Sequence, residues 1–123
     1  MCFLSNRPRY VCTATGIYLP NGRCLATWSE ITHIEAAKLA GGDELNENTY
    51  FLFVHARSTV IKTDTSWENI EGYAALQQGL LDYLPGFCSD WQQVVDRRFA
   101  QTTRWNEVFA TFYKDKVVVY PIP

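Results

Sequence analysis

GIYLPNGRCLATW, residues 16–28, is the stretch on which the fold reading of this chain turns. Two short runs of β-type residues flank Pro20-Asn21-Gly22. Asn-Gly is the dipeptide that best accepts positive φ at both centres of a tight turn, so the stretch predicts a β-hairpin turning at Asn21-Gly22. Upstream, residues 10–13 (YVCT) add a short strand. Downstream, residues 29–40 admit two readings. Ile31, Ile34 and Ala37 recur at helical spacing ahead of Gly41-Gly42, which would cap a helix C-terminus. Trp28, Ile31 and Ile34 equally suit a bent strand leaving the hairpin. Residues 41–48, rich in Gly, Asp, Glu and Asn, read as a loop. Residues 49–56 (TYFLFVHA) and 58–63 (STVIKT) read as core strands joined by a turn near Arg57.

The second half turns helical. Thr65-Ser66-Trp67-Glu68 matches a capping box, in which the Thr oxygen accepts from an amide and Glu68 reaches back. Ile70, Ala74, Leu81 and Leu84 then share one stripe, widened by Tyr73, Leu76 and Leu80. Pro85-Gly86 stops that helix. Ser89 or Asp90 caps another, with Trp91, Val94, Val95 and Phe99 on its apolar face. Trp105, Val108, Phe109 and Phe112 suggest a third helix; in the competing reading, residues 108–113 and 116–120 form a hairpin about Lys114-Asp115. Strands first and helices after predict an α+β fold, a mainly antiparallel sheet packed by C-terminal helices. The expected core joining helix to sheet is Trp28, Phe51, Phe53, Ile70, Leu81, Leu84 and Trp91.

With 123 residues, 47% of them apolar, the chain fits a single domain spanning residues 1–123. No apolar run approaches the roughly 18 residues that cross a bilayer. Met1-Cys2-Phe3-Leu4-Ser5-Asn6-Arg7 has neither an apolar h-region nor a cleavage site, so a cytoplasmic protein is expected. Cys2, Cys12, Cys24 and Cys88 contain no C-x-x-C pair, so free and mostly buried thiols are expected rather than a zinc or redox site. Charge is uneven. Residues 30–96 carry eleven acids against Lys38, Arg57 and Lys62, while both flanks are basic. Solvated faces account for such an imbalance; an acidic face that attracts a basic partner is the sharper reading.

The order of features carries a resemblance. Pro20-Asn21-Gly22 in a first hairpin precedes Trp28-x-x-Ile31-x-x-Ile34, an acidic Gly-rich loop, the aromatic run Tyr50-Phe51-Leu52-Phe53, and a helix closing in Leu84-Pro85-Gly86-Phe87 before Trp91. From Gly16 to Phe99 this resembles small bacterial proteins with a pleckstrin-homology-like sheet capped by a C-terminal helix. The resemblance implies a fold, and by analogy an immunity protein that neutralises a toxin. The aromatic segment from Thr103 onward departs from a minimal domain of that kind.

Little chemistry is legible. His33 and His55 are the only histidines, and structural or surface roles are the plain expectation for both. A nucleophilic pair of Cys24 with His33, or Cys88 with His55, would need hydrogen-bond proximity. The nearest approach to a metal cluster is Asp43-Glu44 with Glu47, which lacks a calcium-loop pattern and reads as a solvated loop. No metal or other cofactor is expected. Gly41-Gly42 runs into Asp43-Glu44, which repels phosphate. Arg97, Arg98 and Arg104 near Trp105 are framed by Asp96 and Glu107, so no nucleic acid is expected; Arg23 alone marks the first hairpin turn, so no membrane partner is expected either. The expected function is non-enzymatic protein binding, in its sharpest form an immunity protein that meets a basic toxin through Glu30, Glu35, Asp43, Glu44, Glu47 and Asp64. A small cysteine/histidine-dependent hydrolase or transferase, or a structural subunit of a larger assembly, are the alternatives. The oligomeric state is open.

Overall fold

The computed structural model describes residues 9–39, 49–66, 69–102 and 116–121. The hairpin forms where expected, between β2 (Gly16–Tyr18) and β3 (Cys24–Thr27). The Leu19 carbonyl accepts from the Gly22 amide at 2.9 Å, and the Leu19 amide donates to the Arg23 carbonyl at 2.8 Å. Pro20 therefore joins the turn as a third residue, its fixed φ suited to the first turn centre. Gly22 takes the positive φ of 93°. The Asn21 carboxamide oxygen accepts from the Arg23 amide at 2.9 Å. With β1 (Val11–Thr13) these strands make an antiparallel sheet in the order β1-β2-β3.

A single 3-10 turn, Trp28–Glu30, hands the chain to a second sheet, and the Glu30 carboxylate accepts the Thr27 amide there at 2.9 Å. That sheet contains β4 (Ile31–Leu39), β5 (Thr49–Ala56), β6 (Val60–Asp64) and β7 (Val117–Tyr120). Its order is β6-β5-β4-β7 with every pair antiparallel. Residues 31–39 are thus strand, and the helical spacing of Ile31 and Ile34 has a different cause. Ile31 opposes Ala56 and His33 opposes His55, so β4 carries one extra residue at Thr32. This bulge shifts the alternation by one, and Ile31 and Ile34 both turn inward although three apart. Beyond it the alternation is regular. Ile34 and Ala36 oppose Val54 and Leu52 on the core face; Glu35 and Ala37 oppose Phe53 and Phe51 on the other.

Two helices pack on the core face. The first, α1 (Ile70–Tyr83), starts later than the Thr65 capping box predicts, with Asn69 at its N-cap position. Thr65 instead prolongs the sheet: its amide donates to the Tyr50 carbonyl and its hydroxyl accepts from the Tyr50 amide, each at 3.0 Å. Trp67 and Glu68 lie outside the described residues. The phase of α1 also differs from the expected stripe. Tyr73, Leu76, Leu80 and Leu84 are buried, whereas Ile70, Ala74 and Leu81 face solvent. Two glycines, Gly72 and Gly79, lie on the buried face. A Cβ on Gly79 would stand 2.4 Å from both the Cβ and the Sγ of Cys12, so the bare backbone is what lets α1 rest on β1. Glycine adds nothing to an apolar pattern, which is why periodicity favoured the other face.

The second helix, α2 (Trp91–Thr102), begins after Asp90, whose carbonyl accepts from Gln93 and Val94. Trp91 and Val95 are buried as expected; the side chain of Phe99 lies outside the described residues. The Trp91 indole donates to Gln77 Oε1 at 2.8 Å, and Tyr50 and Tyr73 meet its ring edge-on. The proposed helix at 105–112 lies outside the described residues, as does residues 108–113 of the competing hairpin. Residues 117–120 of that reading are present as β7, which pairs with β4. The fold is α+β with antiparallel sheets and helices late in the chain, closed by a last strand that follows the helices. Of the expected core joining helix to sheet, Leu84 and Trp91 are buried in it and Trp28 is half-buried against it; Phe53 is buried and Phe51 half-buried on the opposite face of the sheet, and Ile70 and Leu81 are exposed.

Two outcomes are expected. Leu80 is fully buried and Leu81 is 42% exposed, so neighbouring truncations separate the two helix phases. Leu80→Ala is expected to cost about 2–5 kcal/mol in chemical unfolding, and Leu81→Ala less than about 0.5 kcal/mol. Asp96 on α2 accepts from Lys38 at 2.9 Å and from Tyr50 at 2.7 Å, tying the helix to β4 and β5. Burial pushes its carboxyl up, but the hydrogen bonds from Lys38 and Tyr50 and the Lys38 charge outweigh it and hold the group below the usual aspartate value. A lowered folded-state pKa stabilises at neutral pH and is lost as pH falls through it. Asp96→Asn is therefore expected to lower Tm at pH 7, with the deficit closing in strong acid. Because Asp96 is partly exposed, the difference stays within about 1 kcal/mol.

Candidate functional site

The register of the second sheet gathers three chemistry-bearing side chains on the face away from the helices. His33 and Glu35 are two apart beyond the bulge, so both point outward, and His55 is the direct cross-strand partner of His33. The two imidazoles stack with centroids 4.2 Å apart and planes 6° from parallel. Glu35 Oε1 lies 2.7 Å from His55 Nε2 and 4.0 Å from His33 Nε2. All three ligand atoms lie within 4.8 Å of one another. The side chains of His33, Glu35 and His55 are 41%, 25% and 26% exposed, so the cluster opens to solvent.

Thr32, the extra residue of the bulge, orients this cluster. Its hydroxyl donates to the His55 carbonyl at 3.2 Å and lies 3.0 Å from His33 Nδ1. A hydroxyl has one proton, so with that proton on the carbonyl it meets Nδ1 as an acceptor. This arrangement protonates His33 at Nδ1 and leaves the Nε2 lone pair on the Glu35 side. Sequence reasoning missed the cluster because His33 and His55 lie 22 positions apart. The available signal was His-x-Glu on a strand, which places two ligands on one face; the strand itself was legible only as one of two readings.

Of the six acids expected at a partner surface, Glu30, Glu35 and Asp64 lie among the described residues, and each has its own local partners. Glu30 is used locally by the Thr27 amide, just before β4. Glu35 belongs to the histidine cluster. Asp64 sits toward the far end of the sheet, where its Oδ1 accepts from the Ser66 amide and hydroxyl and from Asn69 Nδ2. Asp43, Glu44 and Glu47 lie outside the described residues.

A different surface emerges on α1. Ile70, Ala74 and Leu81 stand within about 40° of one another around the helix axis, and Ile70 and Leu81 are each 42% exposed. Glu71 and Asp82 border this stripe on one side, and α1 contains no Lys or Arg. Glu71 is met by Arg9 at 2.7 Å, and Gln78 donates to Asp82 at 2.9 Å. Isolated exposed apolar residues are ordinary; three in line on a helix whose other face fills the core are a second amphipathic stripe.

The thiols are disposed otherwise than expected: Cys24 is exposed, and Cys12 and Cys88 are half-buried, all three free. Cys2 lies outside the described residues. Burial, with the charge of Asp82 adding to it, pushes the Cys12 thiol up to about 11. Burial and then Asp90, to which its thiol donates at 2.9 Å, raise Cys88. Neither histidine hydrogen-bonds a cysteine among the described residues. In timed alkylation near pH 8 read by peptide mass, Cys24 is expected to react before Cys12 and Cys88, because the thiolate is the nucleophile. Among the described residues no helix is long and apolar enough to cross a membrane. No protein-family model matches the chain, and no curated protein or solved structure matches it either.

Proposed function

We propose that this chain is a non-enzymatic protein-binding domain, of the immunity type that occludes a toxin, and that it meets a basic protein partner with the outer face of α1. One observation carries the reading: Ile70 and Leu81 stand exposed in line with Ala74 on a helix whose only charges are acidic. An apolar stripe with an acidic border complements an apolar groove rimmed by Lys and Arg, the rim steering encounter and the apolar anchors slowing release. The acidic excess of residues 30–96 acts in the same direction. What weighs against the thiol-dependent alternative is that neither histidine hydrogen-bonds Cys24 or Cys88 among the described residues, and that burial and Asp90 raise the Cys88 thiol, which works against a thiolate there. A pleckstrin-homology-like placement draws support from two antiparallel sheets with a helix packed on them; β7, which follows the helices, departs from it.

The test is binding kinetics against a basic toxin domain encoded beside this protein's gene, with sedimentation of the chain alone in parallel. Ile70→Asp with Leu81→Asp is expected to raise the off-rate by about thirtyfold or more while leaving Tm unchanged. Asp82→Lys is expected to slow association, most at low salt. A partner that binds wild type and double variant alike contradicts the assignment. A dimer of the chain that the double variant dissolves would give the face to a second copy instead.

A further inference from the structure

We infer that His33, Glu35 and His55 form a binding site for one divalent transition-metal ion, independent of the α1 surface. Two imidazoles and one carboxylate are a donor set suited to borderline cations such as zinc, cobalt or nickel, and they leave coordination positions open to water or to a ligand. The geometry is close to what such an ion needs. Ligand atoms at bond lengths of about 2.0–2.1 Å around a tetrahedral ion lie about 3.3 Å apart. Glu35 Oε1 stands 2.7 Å from one ring nitrogen and 4.0 Å from the other, on either side of that value. Closing on an ion displaces the proton that His55 Nε2 shares with Glu35, opens that contact and shortens the other by roughly 0.6 Å each, and tilts the two stacked rings so that their Nε2 lone pairs converge.

A supporting contact is already in place for His33. Thr32 accepts at His33 Nδ1, the arrangement that fixes a metal-binding tautomer and turns Nε2 toward Glu35. The same hydroxyl donates to the His55 carbonyl, so one side chain braces both histidine-bearing strands. Backbone pairing of β4 with β5 holds the ligands on rigid strands, with no loop to order on binding. Exposure of the cluster gives a free ion a direct entry path. The single carboxylate offsets half the charge of a divalent cation. Both imidazoles must be unprotonated to bind, so protons compete with the metal.

The experiment titrates the folded chain with cobalt chloride, following visible absorption and the imidazole proton resonances. Zinc is spectroscopically silent, and cobalt shares its ligand preferences closely enough to report the site. One equivalent is expected to bind, with visible ligand-field bands and no thiolate charge-transfer absorption, and to broaden the ring signals of both His33 and His55. His33→Gln, His55→Gln and Glu35→Gln are each expected to weaken binding at least about tenfold. Circular dichroism checks that each variant is folded, and ring broadening in the wild type needs no variant. Binding that shows thiolate absorption, that spares the two histidine signals, or that survives all three substitutions overturns the inference, as does failure of the wild type to bind. None of these outcomes bears on partner binding through α1, which is measured on the metal-free chain.

Discussion

One extra residue in β4 sets the geometry of everything around it. With Thr32 unpaired, Ile31 stays opposite Ala56 while His33 moves opposite His55, and every residue beyond takes the face opposite to that of an uninterrupted strand. Ile34 and Ala36 then face the helices with Val54 and Leu52, and His33 and Glu35 face outward. Remove the bulge while Ile31 remains inward, and Ile34 would project from the sheet while Glu35 entered the core without a cation beside it. Burying an unpaired carboxylate costs several kcal/mol, so the register is strongly specified. The core and the His–Glu–His cluster are thus two consequences of one backbone irregularity.

On the core face, the helices lock onto this sheet by a few long-range polar contacts set among apolar ones. Gln77 on α1 accepts the indole of Trp91 on α2, and Asp96 on α2 accepts from Lys38 and Tyr50, which are themselves cross-strand partners. Each buried donor in that set has its acceptor, as a packed interior requires. Gly79 supplies the complementary close contact, letting α1 lie against Cys12 of β1 and so join the two sheets through one helix. The two candidate surfaces lie on opposite sides of this core: the histidine cluster on the outer sheet face, the Ile70–Leu81 stripe on the outer helix face.

Much of this was legible in the sequence, and the rest was hidden for physical reasons. Asn21-Gly22 announced the hairpin because backbone strain at positive φ is local. The strand at 49–56, its neighbour (58–63 in the sequence reading, Val60–Asp64 in the structure), the Pro85-Gly86 stop and the burial of Trp91 were legible on similar grounds. The phase of α1 was not: Ile70, Ala74 and Leu81 match a 3.6-residue period as well as Tyr73, Leu76 and Leu80 do, and only Gly72 and Gly79, which carry no hydropathy signal, mark the buried side. Residues 31–39 were ambiguous because a bulged strand and a helix both place Ile31 and Ile34 on one side. The cluster was invisible for the same reason, since His33 meets His55 only after that strand is paired in register.

Cross-strand proton NOEs between β4 and β5 test that register most directly, without altering a residue. Directly opposed residues bring either their amide or their α protons close. The bulged register predicts such NOEs between Glu35 and Phe53, and between His33 and His55. NOEs pairing Ile34 with Phe53, and Thr32 with His55, would show an uninterrupted strand and contradict both the core packing and the assembly of His33, Glu35 and His55 described above.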